Sequence, residues 1–300
     1  MKRVLLTGAD GFIGRQSILP LVRRGFEVHA VSHKEPSKDL RFENVIWYKA
    51  NLLEKSEVLK LTEEIKATHL LHFAWYVEHG KFWSSEKNKM WVEASLNLAE
   101  NFSQNGGKRI VVSGTCVEYE LDADDFLDEK LTQLKPQTIY GQCKLELQQK
   151  LFEMNLNVAW GRIFFLFGEN EHPNRLVSSV INSLLKGEFA DCSHGEQVRD
   201  FLDVKDVADA FVTLLDSDVN GAINIASGEA KTIKEVINII AKMLNKREKV
   251  RFGMIKTSEN EPKRIVADVL RLREEVKWTP LKTLEDRLEE NVDWWESQKL

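Results

Sequence analysis

Three glycines placed directly behind the first apolar run constrain this chain more than any other feature. Val4, Leu5, Leu6 and Thr7 lead into Gly8, Gly11 and Gly14, spaced G-x-x-G-x-x-G, and Ile18, Leu19, Leu21 and Val22 follow at helical spacing. The pattern reads as strand, tight turn, helix. Gly8 permits a turn that a side chain would obstruct. Gly11 admits a pyrophosphate close to the backbone, and Gly14 lets the helix pack near the strand. Free N–H groups and the positive dipole end at the helix start favour phosphates. A glycine triplet alone is a weak signal. At the head of a long α/β alternation it points to dinucleotide binding, with Phe12 and Ile13 in the same loop. Pro20 lies inside this helix, where a proline costs ~3 kcal/mol, so a kink or early end is expected there.

The rest of the composition excludes several classes. A net charge of −5 gives no reason to expect nucleic acid. No apolar run approaches the ~20 residues of a membrane span. Met1-Lys2-Arg3 runs straight into the first strand and leaves no room for a cleavable signal. Cys116, Cys143 and Cys192 are scattered without metal-ligand spacing, which fits reduced thiols in a cytoplasmic protein and no metal site. The length of 300 residues suits one large or two closely joined domains.

The second apolar run, Glu27 to Val31, ends in Ser32-His33-Lys34, where a dinucleotide fold faces the adenosine ribose. No carboxylate stands there to repel a 2′-phosphate, and Ser32 and Lys34 can bind one. This favours NADP. Asp10 in the glycine loop argues toward NAD, and Lys34 can also be read as a solvated loop residue. A third strand, Val45 to Tyr48, leads to Asn51-Leu52, where Asn51 is placed to meet the adenine edge. Glu54 to Lys66 has a helical pattern. Leu70 to Ala74 reads as a fourth strand whose end, Phe73-Ala74-Trp75, falls near the cofactor. His72 within it reads as a packed strand residue. A long helix over Glu86 to Gln104 and a fifth strand from Arg109 follow. This alternation predicts an α/β fold, a Rossmann-type doubly wound parallel sheet. Helices are expected near 175–186, 204–216, 232–245 and 283–298, within a smaller mixed lobe. We divide the chain into a dinucleotide-binding part, 1–165, and a C-terminal substrate lobe, 166–300, with the chain crossing between them. The acidic stretch Asp122 to Glu129 reads as a solvated loop.

The fifth strand ends in Ser113-Gly114-Thr115, and Tyr140 and Lys144 stand four apart at the start of a helix, on one face. A tyrosine with a pKa of roughly 10 is a poor base at neutral pH, and a neighbouring ammonium should lower that value. Such a phenol can exchange a proton with an alcohol or carbonyl while a cofactor exchanges a hydride, with Thr115 bonded to the same oxygen. Tyr-x-x-x-Lys is common by chance. Its company, a nucleotide loop and a Ser/Thr strand end, gives it weight.

On these residues the chain resembles the extended short-chain dehydrogenase/reductase family, the nucleotide-sugar epimerase, dehydratase and reductase group. The resemblance covers Thr7 to Gly14, Asn51-Leu52, His72 to Ala74, Thr115, Tyr140/Lys144 and Arg162 to Phe164. It continues through Arg199 to Val204, Asn224 to Gly228 and Trp278 to Pro280. It implies an N-terminal NAD(P) lobe and a C-terminal lobe that takes a nucleoside-diphosphate sugar. Thr115, Tyr140 and Lys144 are then the catalytic group, Lys144 also meeting the cofactor. Arg199 is the expected contact to the substrate's diphosphate, unless it is a structural ion pair with a neighbour such as Asp200. A homodimer is implied, pairing through the helices near 86–104 and 137–154. So is a place in cell-surface polysaccharide biosynthesis.

Departures narrow the expected activity. The family's dehydratases carry Asp-Glu after the catalytic Thr, where this chain has Cys116 and Val117. Reductases that also epimerise C3 and C5 carry a Cys acid/base where Val117 stands. Hydride transfer with tyrosine-mediated proton transfer remains. That means reduction of a 4-keto-6-deoxy nucleotide sugar, or 4-epimerisation with retained NAD. A catalytically silent dinucleotide binder and a reductase of non-sugar carbonyls are the other readings. Trp91 stands where the family usually has an Asn, which bears on local packing.

Overall fold

Seven parallel strands form the sheet on which everything else is mounted, in the order β3-β2-β1-β4-β5-β6-β11. The structure, a computed structural model, describes residues 2–35, 44–121, 125–258 and 261–298. The first part runs β1 (Arg3–Thr7), α1 (Phe12–Arg23), β2 (Glu27–Ser32), β3 (Val45–Lys49), α2 (Lys55–Ile65) and β4 (His69–His72). It continues through α3 (Lys87–Gln104), β5 (Arg109–Thr115), α4 (Ile139–Phe152) and β6 (Asn157–Ile163). The second part begins with β7 (Phe165–Phe167), α5 (Leu176–Leu185), β8 (Ala190–Asp191), β9 (Val198–Arg199), β10 (Phe201–Asp203) and α6 (Val204–Leu215). Then come β11 (Gly221–Ile225), β12 (Lys231–Thr232), α7 (Ile233–Met243), β13 (Val250–Arg251), β14 (Arg264–Ile265), α8 (Leu270–Glu274) and α9 (Leu284–Ser297).

Burial explains the arrangement. β1, β4 and β5 are apolar on both faces, so helices must cover both. α1 packs with α6 on one face, and α2, α3 and α4 pack in a row on the other. The strand order is Rossmann-type, reversing direction between β1 and β4 and leaving a crevice at their C-terminal ends. A third apolar cluster joins Phe167, Ile181, Ile237, Ile240 and Leu288 in the C-terminal part. β11 returns to the main sheet and pairs with β6, so residues 204–225 belong to the first core although they follow β7 in sequence.

Two expectations fail. α1 does not stop at Pro20. It runs to Arg23, and the Pro20 carbonyl still accepts the Arg24 N–H at 3.1 Å. Pro20 sits in the last turn, and the buried Ile18 and Leu21 hold the helix on the sheet. The acidic stretch is not a free loop where it is described (residues 122–124 lie outside the described residues). Leu127 is buried and bridges Ala267, and Glu129 accepts the Asn224 N–H at 2.8 Å. Asn224 itself gathers the carbonyls of Leu127 and Asp268 at 2.7 and 3.0 Å.

Candidate active site

A single cavity of about 1270 Å³ opens at the C-terminal ends of β1, β2, β4 and β5 and extends under the C-terminal part. Every residue assigned to a site from the sequence lines it: Gly8 to Gly14, Ser32 to Lys34, Asn51, Leu52, Phe73 to Trp75, Thr115, Tyr140, Lys144 and Arg199. Ala9 is the one member of the first span that is buried away from it.

The glycine loop has a built purpose at its first and third glycines. Gly8 has φ +63°, and a Cβ there would lie 2.9 Å from the Ala74 nitrogen. A Cβ on Gly14 would lie 2.1 Å from the Gly8 carbonyl oxygen. Side chains at either position would push the loop off the sheet. α1 starts at Phe12 behind Gly11, with no side-chain cap and no acidic residue in its first turn. Uncapped N–H groups facing a cavity fit the pyrophosphate of a dinucleotide. At the end of β2, the buried Ser32 accepts the Lys34 N–H at 3.2 Å, and Lys34 Nζ pairs with Asp10 at 3.6 Å. The two charges that argued in opposite directions therefore oppose each other directly. Asn51, at the end of β3, is exposed and caps its own loop by accepting the Leu53 N–H at 3.2 Å.

Thr115, Tyr140 and Lys144 converge at the centre of the cavity. Thr138 caps α4 by accepting the Gly141 N–H at 3.0 Å, which places Tyr140 in the first turn and Lys144 one turn on. The Thr115 side chain lies close enough to Tyr140 to favour its phenolate slightly. Lys144 is buried, donates to the Ser113 carbonyl at 2.8 Å, and lies over the Trp75 ring at 3.9 Å from its centroid. The phenol is not lowered as expected. Burial pushes it well above the ordinary tyrosine range, with the carboxylate of Glu118 and the Cys116 thiol adding to the effect. Lys144 is itself desolvated. Burial brings its ammonium down to about 7, against the pull of Glu118.

Glu118 is a residue that sequence reasoning missed. It is fully buried and lies in the short 3-10 turn after β5. Its carboxylate accepts the Thr115 N–H at 2.8 Å, the Trp160 Nε1–H at 3.0 Å and the Arg162 Nε–H at 2.7 Å. Arg162 extends the network to Tyr119 and Gln148. The available signal was the Arg of the quoted Arg162 to Phe164 segment, since a strand-centre arginine needs a buried partner. Cys116 lines the cavity as a thiol pushed up to about 12 by burial, and Val117 beside it has no proton to give. His72 is a strand residue as read. It bonds Thr7 at 2.7 Å and Ser95 at 2.8 Å, and burial takes its imidazole down to about 3.

Arg199 also lines the cavity and is 2% exposed. Asp200 is not its partner. Asp200 binds Ser227, the Gly228 N–H at 2.9 Å and the Ala267 N–H at 3.3 Å instead. Arg199 Nη2 pairs with Glu261 at 2.9 Å, and the guanidinium lies over the Phe165 ring at 5.2 Å. Arg175 lines the same cavity. Trp91 faces the cavity near Trp75, with ring centroids 6.3 Å apart. Among the described residues, no group of three His, Cys, Asp or Glu side chains is placed to hold a metal, and no helix is long and apolar enough to cross a membrane.

The sheet order and the glycine loop define a Rossmann-type α/β protein. The chain belongs to the NAD dependent epimerase/dehydratase family, whose model matches residues 4–226. It is 24% identical over 245 residues to dTDP-6-deoxy-L-talose 4-dehydrogenase (NAD(+)) of Aggregatibacter actinomycetemcomitans, covering 78% of this chain and 87% of that protein. It is 26% identical over 279 residues to dTDP-4-dehydro-6-deoxyglucose reductase of Escherichia coli, covering 83% and 84%. The crystal structure of a UDP-glucose 4-epimerase from Thermotoga maritima, with UDP-glucose, superposes with a TM-score of 0.90 at 20% identity. That match covers 99% of this chain and 100% of the other. The protein is thus an enzyme of the NAD-dependent nucleotide-sugar group, in which reductases, dehydrogenases and epimerases share one fold.

Proposed function

We propose that this protein is an NAD(P)-dependent ketoreductase of nucleotide-linked 4-keto-6-deoxy sugars. The observation that carries the reading is the meeting of Thr115, Tyr140 and Lys144 in one cavity whose neighbouring position, Val117, has no acid or base. A bound nicotinamide dinucleotide supplies the hydride. Gly8, Gly11, Phe12, Ile13 and Gly14 cradle its pyrophosphate at the start of α1. Ser32, His33 and Lys34 face its adenosine ribose, and Asn51 and Leu52 its adenine. Phe73, Ala74 and Trp75 line the passage toward the reacting centre. Tyr140 donates a proton to the carbonyl oxygen from a phenol that burial keeps protonated at neutral pH. Thr115 holds the same oxygen in place. Lys144 steadies the phenol and reaches the cofactor ribose. Arg199, with Arg175 nearby, meets the diphosphate of the nucleotide sugar.

In this reading residues 1–165 hold the dinucleotide and residues 166–300 the nucleotide sugar. The missing carboxylate at the end of β2 favours NADP. The ion pair between Asp10 and Lys34 supports the second reading, a 4-epimerase that keeps NAD, because it cancels the cation a 2′-phosphate would need. Three free buried thiols fit the cytoplasm. A homodimer through α3 and α4 completes the proposal. Leu147 and Leu151 are core residues, so the outward faces of those helices would have to make the contact. Light scattering at micromolar concentration tests it.

The decisive experiment is incubation with NADPH or NADH and a nucleotide-linked 4-keto-6-deoxy hexose, following reduced-nicotinamide absorbance. Oxidation of the cofactor that falls by roughly 10²–10⁴ in Tyr140→Phe supports the reductase. Interconversion of a 4-hydroxy sugar with NAD alone, and no turnover of keto-sugars, replaces it with the epimerase.

A further inference from the structure

The connection between β4 and α3 builds a roof over Tyr140. Asn88, buried in the first turn of α3, accepts the Trp75 Nε1–H at 2.8 Å and donates to the carbonyls of Phe82 and Ser85 at 2.7 and 2.8 Å. This pins the 3-10 turn Phe82–Ser84 above the site. Phe82 and Trp83 meet the Tyr140 ring edge-on, with centroids 4.9 and 5.7 Å away. Trp83 is nevertheless 42% exposed, and Val77 and Met90, which also line the cavity from the β4–α3 connection and the start of α3, are 61% and 54% exposed. A fixed turn that leaves large apolar groups wet at a cavity mouth gains stability only when a ligand covers them.

We propose that Trp83, with Val77 and Met90, forms the subsite for the deoxygenated carbon of the reacting sugar and selects 6-deoxy over 6-hydroxy nucleotide-linked hexoses. The inference rests on the reading above in one respect, that Tyr140 meets the C4 carbonyl of such a sugar. C6 is attached to the ring carbon next to C4, so a carbonyl at Tyr140 with the C5 side of the ring turned toward Trp83 brings C6 beneath this roof. A methyl group there is covered by aromatic and aliphatic carbon. A hydroxyl there would meet mainly indole, phenyl, isopropyl and thioether carbon, which covers a methyl group better than a hydroxyl. Val117 and Phe164 extend the apolar lining beyond Thr115.

The test is calorimetric titration of the full chain with the 6-deoxy and 6-hydroxy forms of one nucleoside-diphosphate hexose. The 6-deoxy form is expected to bind about 10- to 100-fold more tightly, the usual discrimination of an apolar pocket against an added hydroxyl. Trp83→Ala should bring the ratio near unity, with NADPH affinity unchanged as the sign of an intact fold. Trp83→Phe should keep most of the ratio. Equal affinity of the wild-type chain for the two forms, or an equal loss of both in Trp83→Ala, overturns the inference while leaving the nucleotide-sugar reading standing. Failure of the wild-type chain to bind either form removes that reading and the inference with it.

Discussion

Asp10 and Lys34 form an ion pair, 3.6 Å apart, that joins the glycine loop to the end of β2. Lys34 is largely exposed, so the pair contributes little to stability, and both residues line the cavity beside the glycine loop. Asp10→Asn should raise affinity for NADPH by a few-fold and leave NADH nearly unchanged, as it frees the exposed Lys34 from a pair of the kind worth ~0.2–1 kcal/mol. Ser32→Asp should do the reverse. Fluorescence titration with both reduced cofactors reads both changes. Equal shifts for NADPH and NADH in Asp10→Asn would mean that the pair does not face the 2′ position.

Lys144 makes stability depend on pH with a defined sign. Its folded-state pKa is about 7, below the unfolded value of 10.5. Between those values the unfolded chain binds more protons, so the lysine's contribution to stability becomes more favourable as pH rises through this window. Lys144→Met should therefore be more stable than the wild type at pH 6, and the gap should shrink by pH 10. Thermal melts of both proteins across that range give the comparison. A constant gap would show that Lys144 stays fully charged in the fold.

Removing Glu118 should be costly to the fold. Glu118→Ala leaves Arg162 buried without its carboxylate and frees the Thr115 N–H and the Trp160 indole N–H. Breaking a buried pair from one side costs ~3–5 kcal/mol, read from urea denaturation. A loss below ~1 kcal/mol would mean that water reaches Arg162.

Arg199→Ala should weaken nucleotide-sugar binding by ~1.5–3 kcal/mol and spare dinucleotide affinity. Calorimetry with each ligand separately decides this. Glu261 already holds the guanidinium at 2.9 Å, so equal losses for both ligands would show that the Arg199–Glu261 pair supports the fold instead.

Much of the scaffold was legible because its signals are local. Glycine spacing, apolar runs and helical periodicity each act within a few residues, and they located α2 to α7, α9 and β1 to β5 to within a residue or two. Tyr140 and Lys144 were visible for the same reason, since one helical turn puts them on one face. The return of β11 to the main sheet was not legible, nor was the partner of Arg199. Glu261 lies more than sixty residues from it in sequence, and no local pattern records such a pairing.

The proton balance of the candidate site also lay outside the sequence. The order of residue types determined that a tyrosine, a lysine and a threonine would face a dinucleotide loop. Only the tertiary structure decided that Lys144 is dry, that the Glu118 carboxylate acts on Tyr140, and that an aromatic turn packs against the Tyr140 ring. Desolvation and charge–charge interaction depend on distance in space and on what excludes water, and these are set by the packing of β5, α4 and the β4–α3 connection.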